Sequence, residues 1–85
     1  MVSMERKNIK VQYFALLREE RGMSAETVIS EAQTVKQFYE ELKRQHHFRL
    51  TVDVLRVAVN DEFKDWDTIL KDGDRVVFIP PVAGG

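Results

Sequence analysis

One amphipathic helix, set in a chain otherwise patterned for strands, constrains this fold more than any other feature. Thr34 is placed as an N-cap, and Gln37 three residues later completes a capping box. Val35, Phe38, Tyr39 and Leu42 then recur at i, i+3, i+4 and i+7, which makes one apolar stripe. Lys36, Glu40, Glu41, Lys43 and Arg44 fall on the solvent side. The helix is expected to fade near Gln45 to His47, where Lys43, Arg44 and His46 suit the negative end of its dipole. A lone helix has to cover the one apolar face of a sheet. The expected class is therefore α+β in two layers, a mixed sheet of four to five strands under one main helix.

The strands follow from period-two alternation. Ile9, Val11 and Tyr13 share one face of a first strand, and Lys10, Gln12 and Phe14 share the other. Phe14 is the exception on that second face, a large aromatic among polar residues. Ala15 to Arg21 is expected to form a short helical turn or a loop closed by Gly22. Glu26 to Ser30 predicts a second strand, antiparallel to the first. Phe48 to Leu55 predicts an extended crossover with some strand character, since Phe48, Leu50, Val52 and Val54 alternate. Arg56 to Asn60 is a strand, Asn60-Asp61-Glu62 is turn chemistry, and Phe63 begins a short return. Asp67 to Leu70 predicts a single helical turn capped by Asp67. Lys71 to Asp74 is a tight turn in which Gly73 supplies a positive φ. The last strand is Arg75 to Ile79, with Val76 and Phe78 facing the helix and Arg75, Val77 and Ile79 facing away.

Composition excludes several classes. The chain has 85 residues, enough for one domain, and 44% are hydrophobic, enough for a small core. Lys+Arg is 13 against Asp+Glu 14, so bulk charge does not point to nucleic acid. There is no cysteine, hence no disulfide framework and no thiolate metal site. No apolar run approaches the ~20 residues of a membrane span. Met1 to Lys10 lacks the apolar region of a secretory signal, and a cytoplasmic location is expected. Residues 1–7 are expected to be a loose leader, with Met4 an alternative start. The domain is expected to span residues 1–79.

Beyond it lies Pro80-Pro81-Val82-Ala83-Gly84-Gly85. Neither proline continues a central ladder, because each lacks an N–H and fixes φ near −65°. No side chain past them anchors a tail. Fully extended, the segment reaches roughly 20 Å at about 3.3–3.6 Å per residue. Residues 80–85 are thus expected to form a flexible, extended arm ending in a glycine carboxylate. If the first and last strands are neighbours, Phe14 lies near Val77 and Ile79 on the outward face, and Phe63 can join them. A contiguous apolar patch of this kind on a small protein marks a partner surface. The alternative is that Phe14 or Phe63 tucks under a loop.

These segments together resemble a known family. Arg56-Val57-Ala58-Val59-Asn60, the Asp72-Gly73-Asp74 turn and the ending Ile79-Pro80-Pro81-Val82-Ala83-Gly84-Gly85 are similar to the small, sulfur-carrying subunit of molybdopterin synthase. Val11 to Ala15, with Arg18-Glu19, fits the same family, and the likeness covers Ile9 to Gly85. Residues before Lys7 exceed the family's usual start, and Phe48 to Leu55 matches it poorly.

The resemblance implies a ubiquitin-like β-grasp fold with the first and last strands parallel at the sheet centre. It implies that an ATP-dependent, E1-like activating enzyme adenylates Gly85, and that a sulfur-donating system converts it to a thiocarboxylate. The arm, with Gly84 beside the reacting end, then enters the synthase large subunit in a heterotetramer. There its sulfur passes to cyclic pyranopterin monophosphate to form the dithiolene of molybdopterin. Phe14, Phe63 and Ile79 match positions that contact partners in that family. Related carriers serving thiamin synthesis or tRNA thiolation share the Gly-Gly but usually lack the Pro-Pro, and a conjugated modifier of the ubiquitin type is a further alternative.

The chemistry suits the residues. A C-terminal carboxylate, with a pKa of about 3.3–3.7, is ionised and nucleophilic at neutral pH. Glycines without Cβ let the backbone approach a ligand closely, and prolines reduce the cost of ordering the arm. Elsewhere the sequence offers little. His46-His47 are adjacent, point about 100° apart on a helix and have no third ligand, so they are placed as a helix-end pair. Trp66 is expected to pack over a loop. The acids at 61–62, 65–67 and 72–74 match no calcium-loop spacing. No metal site, no bound cofactor and no independent catalytic machinery are expected; ATP belongs to the activating enzyme.

Overall fold

A computed structural model describes residues 5–81. Strict alternation makes β1 (Lys7–Tyr13), in which every second side chain is buried. It runs antiparallel to β2 (Ala25–Ser30) and parallel to β5 (Arg75–Ile79). β3 (Arg56–Val59) pairs antiparallel with β5 on one side and with the short β4 (Glu62–Lys64) on the other. The order β2-β1-β5-β3-β4 is the β-grasp arrangement, with the first and last strands side by side at the centre.

Over one face lies α2 (Val35–His46), and its stripe of Val35, Phe38, Tyr39 and Leu42 is buried. The capping box forms as expected. Gln37 N–H donates to Thr34 Oγ1 at 3.2 Å, and Thr34 N–H donates to Gln37 Oε1 at 3.3 Å. Beneath the helix, Phe78 sits among Phe38, Tyr39 and Trp66, with ring centroids 5.0–6.1 Å away. Tyr39 and Phe48 stack at 6.0 Å. These rings form the centre of a core that runs from Ile9 to Phe78. Trp66 closes its edge, as expected for a side chain packed over a loop.

Three sequence expectations are corrected. The first strand begins at Lys7, not Ile9, and so takes in the last residue of the expected leader. Lys7 is tolerated facing inward because its ammonium donates to the Ala32 carbonyl at 3.0 Å. Phe48 to Leu55 contains no strand, only a 3₁₀ turn at Val52–Val54. Phe48 and Leu55 anchor its two ends in the core. In between, the Leu50 carbonyl is taken by Tyr39 Oη at 2.6 Å rather than by a ladder.

Third, Asp67 to Leu70 is not a helical turn. A turn closes from Thr68 N–H to the Asp65 carbonyl at 3.1 Å. The segment then runs extended past the start of α2, where Thr34 and Ile69 form a bridge. The carbonyls of Thr68 and Trp66 each accept, at 3.0 Å, from Val35 and Lys36 N–H. Those donors have no partner within a helix. Satisfying them outweighs one isolated turn of helix. Ala15 to Arg21 takes the helical alternative, α1, closed by Gly22 at φ 83° as expected. Gly73 takes φ 87° in the turn before β5, as expected.

Candidate functional site

The expected site gathers at one end of the uncovered sheet face. Strand β5 is central, paired along both sides, and ends at Ile79 where β1 ends and β3 begins. The registers lay out the open face in rows. Gln12 pairs with Val77, Val77 with Ala58, and Ala58 with Phe63, so the four cross the sheet in line. Arg56 pairs with Ile79 in the next row towards the chain exit. Phe63 is 66% exposed, and the Arg56 guanidinium lies 5.8 Å from its ring centroid. Val77 and Ile79 are half-buried, Pro80 is half-buried and Pro81 is exposed. Neither Phe14, 40% exposed, nor Phe63 tucks under a loop. Thus Phe63, Val77 and Ile79 share the open face, and Phe14 follows Tyr13 at its rim. The expected arm residues Val82, Ala83, Gly84 and Gly85 lie outside the described residues, as do the first four.

The sequence reading missed what fixes Phe14. Immediately after it, Ala15 takes φ 52°, a left-handed conformation that turns the chain sharply from β1 into α1. The other end of α1 is tied down by a polar cluster. Arg21 donates two hydrogen bonds to the Glu26 carboxylate, at 2.7 and 2.8 Å, and Tyr13 Oη donates a third at 2.7 Å. The Arg21 hydrogen bonds hold the Glu26 carboxyl below its ordinary range, against the opposing effect of burial. Burial, then Glu26, pushes the Tyr13 phenol well above its usual range, so it stays a donor. The only sequence signal was an Arg and a Glu flanking the Gly22 turn, with an inward Tyr before it. Such pairs are too common to single out.

A second polar cluster fixes the other end of β5. Asn60 Nδ2 donates to Asp74 Oδ1 at 2.9 Å, and Arg75 N–H donates to Asn60 Oδ1 at 3.0 Å. Asp74 Oδ2 accepts from Lys71 N–H at 2.8 Å. The start of the last strand is therefore clamped by side chains, and its ladder pairing ends at Ile79. His46 closes α2 and His47 is its left-handed C-cap. Burial lowers the pKa of His46, whose ring lies 5.6 Å from that of Phe48. Among the described residues no cluster of three or more His, Cys, Asp or Glu side chains is arranged to hold a metal. Nor is any helix among them long and apolar enough to cross a membrane.

The geometry joins an apolar patch to the end of a central strand that is paired on both sides. The model of the ThiS family matches residues 11–85. The molybdopterin synthase sulfur carrier subunit of Escherichia coli K12 is 38% identical over 80 residues, which is 91% of this chain and 99% of that protein. Among solved structures, a putative molybdopterin converting factor subunit 1 from Pyrococcus furiosus superposes with a TM-score of 0.76. It is 36% identical, over 89% of this chain and 99% of that one. A complex of subunits 1 and 2 of the molybdopterin-converting factor from Helicobacter pylori 26695 also matches. Its TM-score is 0.62 at 29% identity, over 92% of this chain and 99% of that chain.

Proposed function

This chain belongs to the ThiS family, and from that premise we propose that it is a sulfur carrier acting as the small subunit of molybdopterin synthase. The observation that carries the reading is the likeness to the Escherichia coli carrier subunit along nearly its whole length. The ending Ile79-Pro80-Pro81-Val82-Ala83-Gly84-Gly85 supports it.

In this reading Gly85 is the chain end, and its carboxylate is the reacting group. One carboxylate oxygen attacks the α-phosphate of ATP in the active site of an E1-like activating enzyme, and pyrophosphate leaves. A sulfur nucleophile from the donor system then attacks the acyl carbon and AMP leaves, giving the thiocarboxylate. The thiocarboxylate is anionic and nucleophilic at neutral pH, and positioning by the large subunit brings it to cyclic pyranopterin monophosphate. Phe14, Phe63, Val77 and Ile79 dock the partner while Pro80 to Gly84 thread into it. The small subunit supplies the sulfur and the large subunit the reaction cavity, in a cytoplasmic heterotetramer.

The test is intact-mass analysis of protein co-expressed with its activating enzyme. A gain in mass equal to the exchange of one oxygen for sulfur, localised to Gly85, is expected. Isopeptide adducts to lysines with no such species would instead indicate a conjugated modifier.

A further inference from the structure

We infer that the open sheet face is built for a partner surface with an apolar centre and a carboxylate rim; the partner's identity rests on the synthase reading. Among the outward-facing positions of the five strands, the charged side chains are Lys10, Arg56 and Arg75, and none is acidic. This is not the composition of the chain, in which acids slightly outnumber bases. The acids sit elsewhere: Glu19 and Glu20 on α1, Glu40 and Glu41 on α2, Asp65 and Asp72 in loops. Asp61, in the β3–β4 turn, reaches Arg75 and offsets part of its charge. Lys10 and Arg56 make no ion pair among the described residues.

The positions of the three cations matter more than their number. Lys10 and Arg75 are paired neighbours on β1 and β5, and they line a shallow hollow of about 340 Å³ with Gln12, Val77, Glu26 and Asp61; Glu26 is already held by Arg21 and Tyr13, and Asp61 by Arg75, which leaves Lys10 as its unpaired charge. Arg56 stands at the far end of the face, over Phe63 and opposite Ile79. Cations thus flank the row of Val77 and Phe63 on both sides, with Ile79 beside Arg56 in the outer row. An interface excludes water best over its apolar centre and places charge at its rim. The complementary surface has an apolar centre with Asp or Glu beyond each end of it.

A second copy of this chain does not fit. A two-fold contact through this face would bring the same uncompensated cations towards one another. Nucleic acid fits poorly as well, because the centre between the cations is apolar and offers no partner for phosphate.

Binding of the purified large subunit should be measured by calorimetry for wild type, Lys10→Glu, Arg56→Glu and the control Lys36→Glu, an exposed reversal on α2. Each open-face reversal should weaken binding about tenfold or more. The control should stay within about twofold, and raising salt from about 0.05 to about 0.5 M should weaken the wild type severalfold. Unchanged melting curves exclude misfolding. Open-face variants that bind as the control does would overturn the inference, as would displacement of the partner by a DNA oligonucleotide. A wild type that does not bind the large subunit removes the synthase reading. The same panel against the activating enzyme then decides the charge inference alone, and absence of binding there overturns it too.

Discussion

Tyr13 and Phe14 are neighbours in sequence and have opposite fates. Tyr13 is fully buried beneath the helix, edge-on to Phe48, with its hydroxyl held by Glu26. Phe14 stands at the rim of the uncovered face with its ring partly in solvent. The same divide runs through the last strand, where Phe78 lies in a cage of aromatic rings and Val77 lines the open side. Aromatic content alone therefore says nothing about stability in this protein. The parity of a position along its strand decides whether a ring serves the core or remains free for contact.

The sharpest way to break this comparison is to truncate one ring on each side. Phe78→Ala should cost about 3–5 kcal/mol in urea unfolding, because the helix cannot collapse into the space left. Retention of near wild-type stability would show that the covered face is not the organising core. Glu26→Gln removes the anion that holds Tyr13 and Arg21, and should cost about 1–2 kcal/mol at neutral pH. The folded-state pKa of Glu26 is lowered, so its contribution is complete above the ordinary Glu value of about 4.3 and is lost as pH falls through the folded value. Unfolding curves from neutral pH downward should therefore converge for wild type and variant in acid. Tyr39→Phe deletes the hydrogen bond to Leu50 and should cost about 1 kcal/mol, read by the same curves.

The smallest expected stability changes are on the other side. Phe63→Ala should change stability by less than about 0.5 kcal/mol while weakening binding of the large subunit, measured by calorimetry. Phe14→Asp should behave alike. Phe14 is the N-cap of α1, a position where Asp is a better residue, so a slight gain in stability is the expected sign. If Phe14→Asp unfolds the protein instead, the division between the faces is wrong at its rim.

The helix and the two faces were legible because each rests on a repeating pattern, while the sheet order came from the family resemblance. Thr34 with Gln37, and Ile9 alternating through Tyr13, are signals that neighbouring residues reinforce. The failures were of another kind. Asp67 looked like a cap, but the donors that decide the conformation of its segment belong to Val35 and Lys36, distant in sequence. The alternation from Phe48 to Val54 looked like a strand, yet Tyr39 takes the Leu50 carbonyl and Val52–Val54 closes into a 3₁₀ turn instead of joining a ladder. Ala15 gave no warning of its left-handed backbone, since Ala has no special preference for that region. At the candidate site, Val77 and Ile79 were placed by parity and Phe63 by the short return and the family likeness, while the Arg21–Glu26–Tyr13 cluster depends on a tertiary approach that no local pattern records.

Pairing residues 10–13 with residues 75–78 also has a consequence for biosynthesis. β1 is made before β5, its partner at the centre of the sheet, and the other described strands and both helices lie between them in the chain. Until β5 joins, the stripe of α2 has only an incomplete platform to cover, and such high contact order slows closure. The apolar stripe of α2 therefore stays exposed until β5 is made, and the sheet can close only once Arg75 to Ile79 has cleared the exit tunnel.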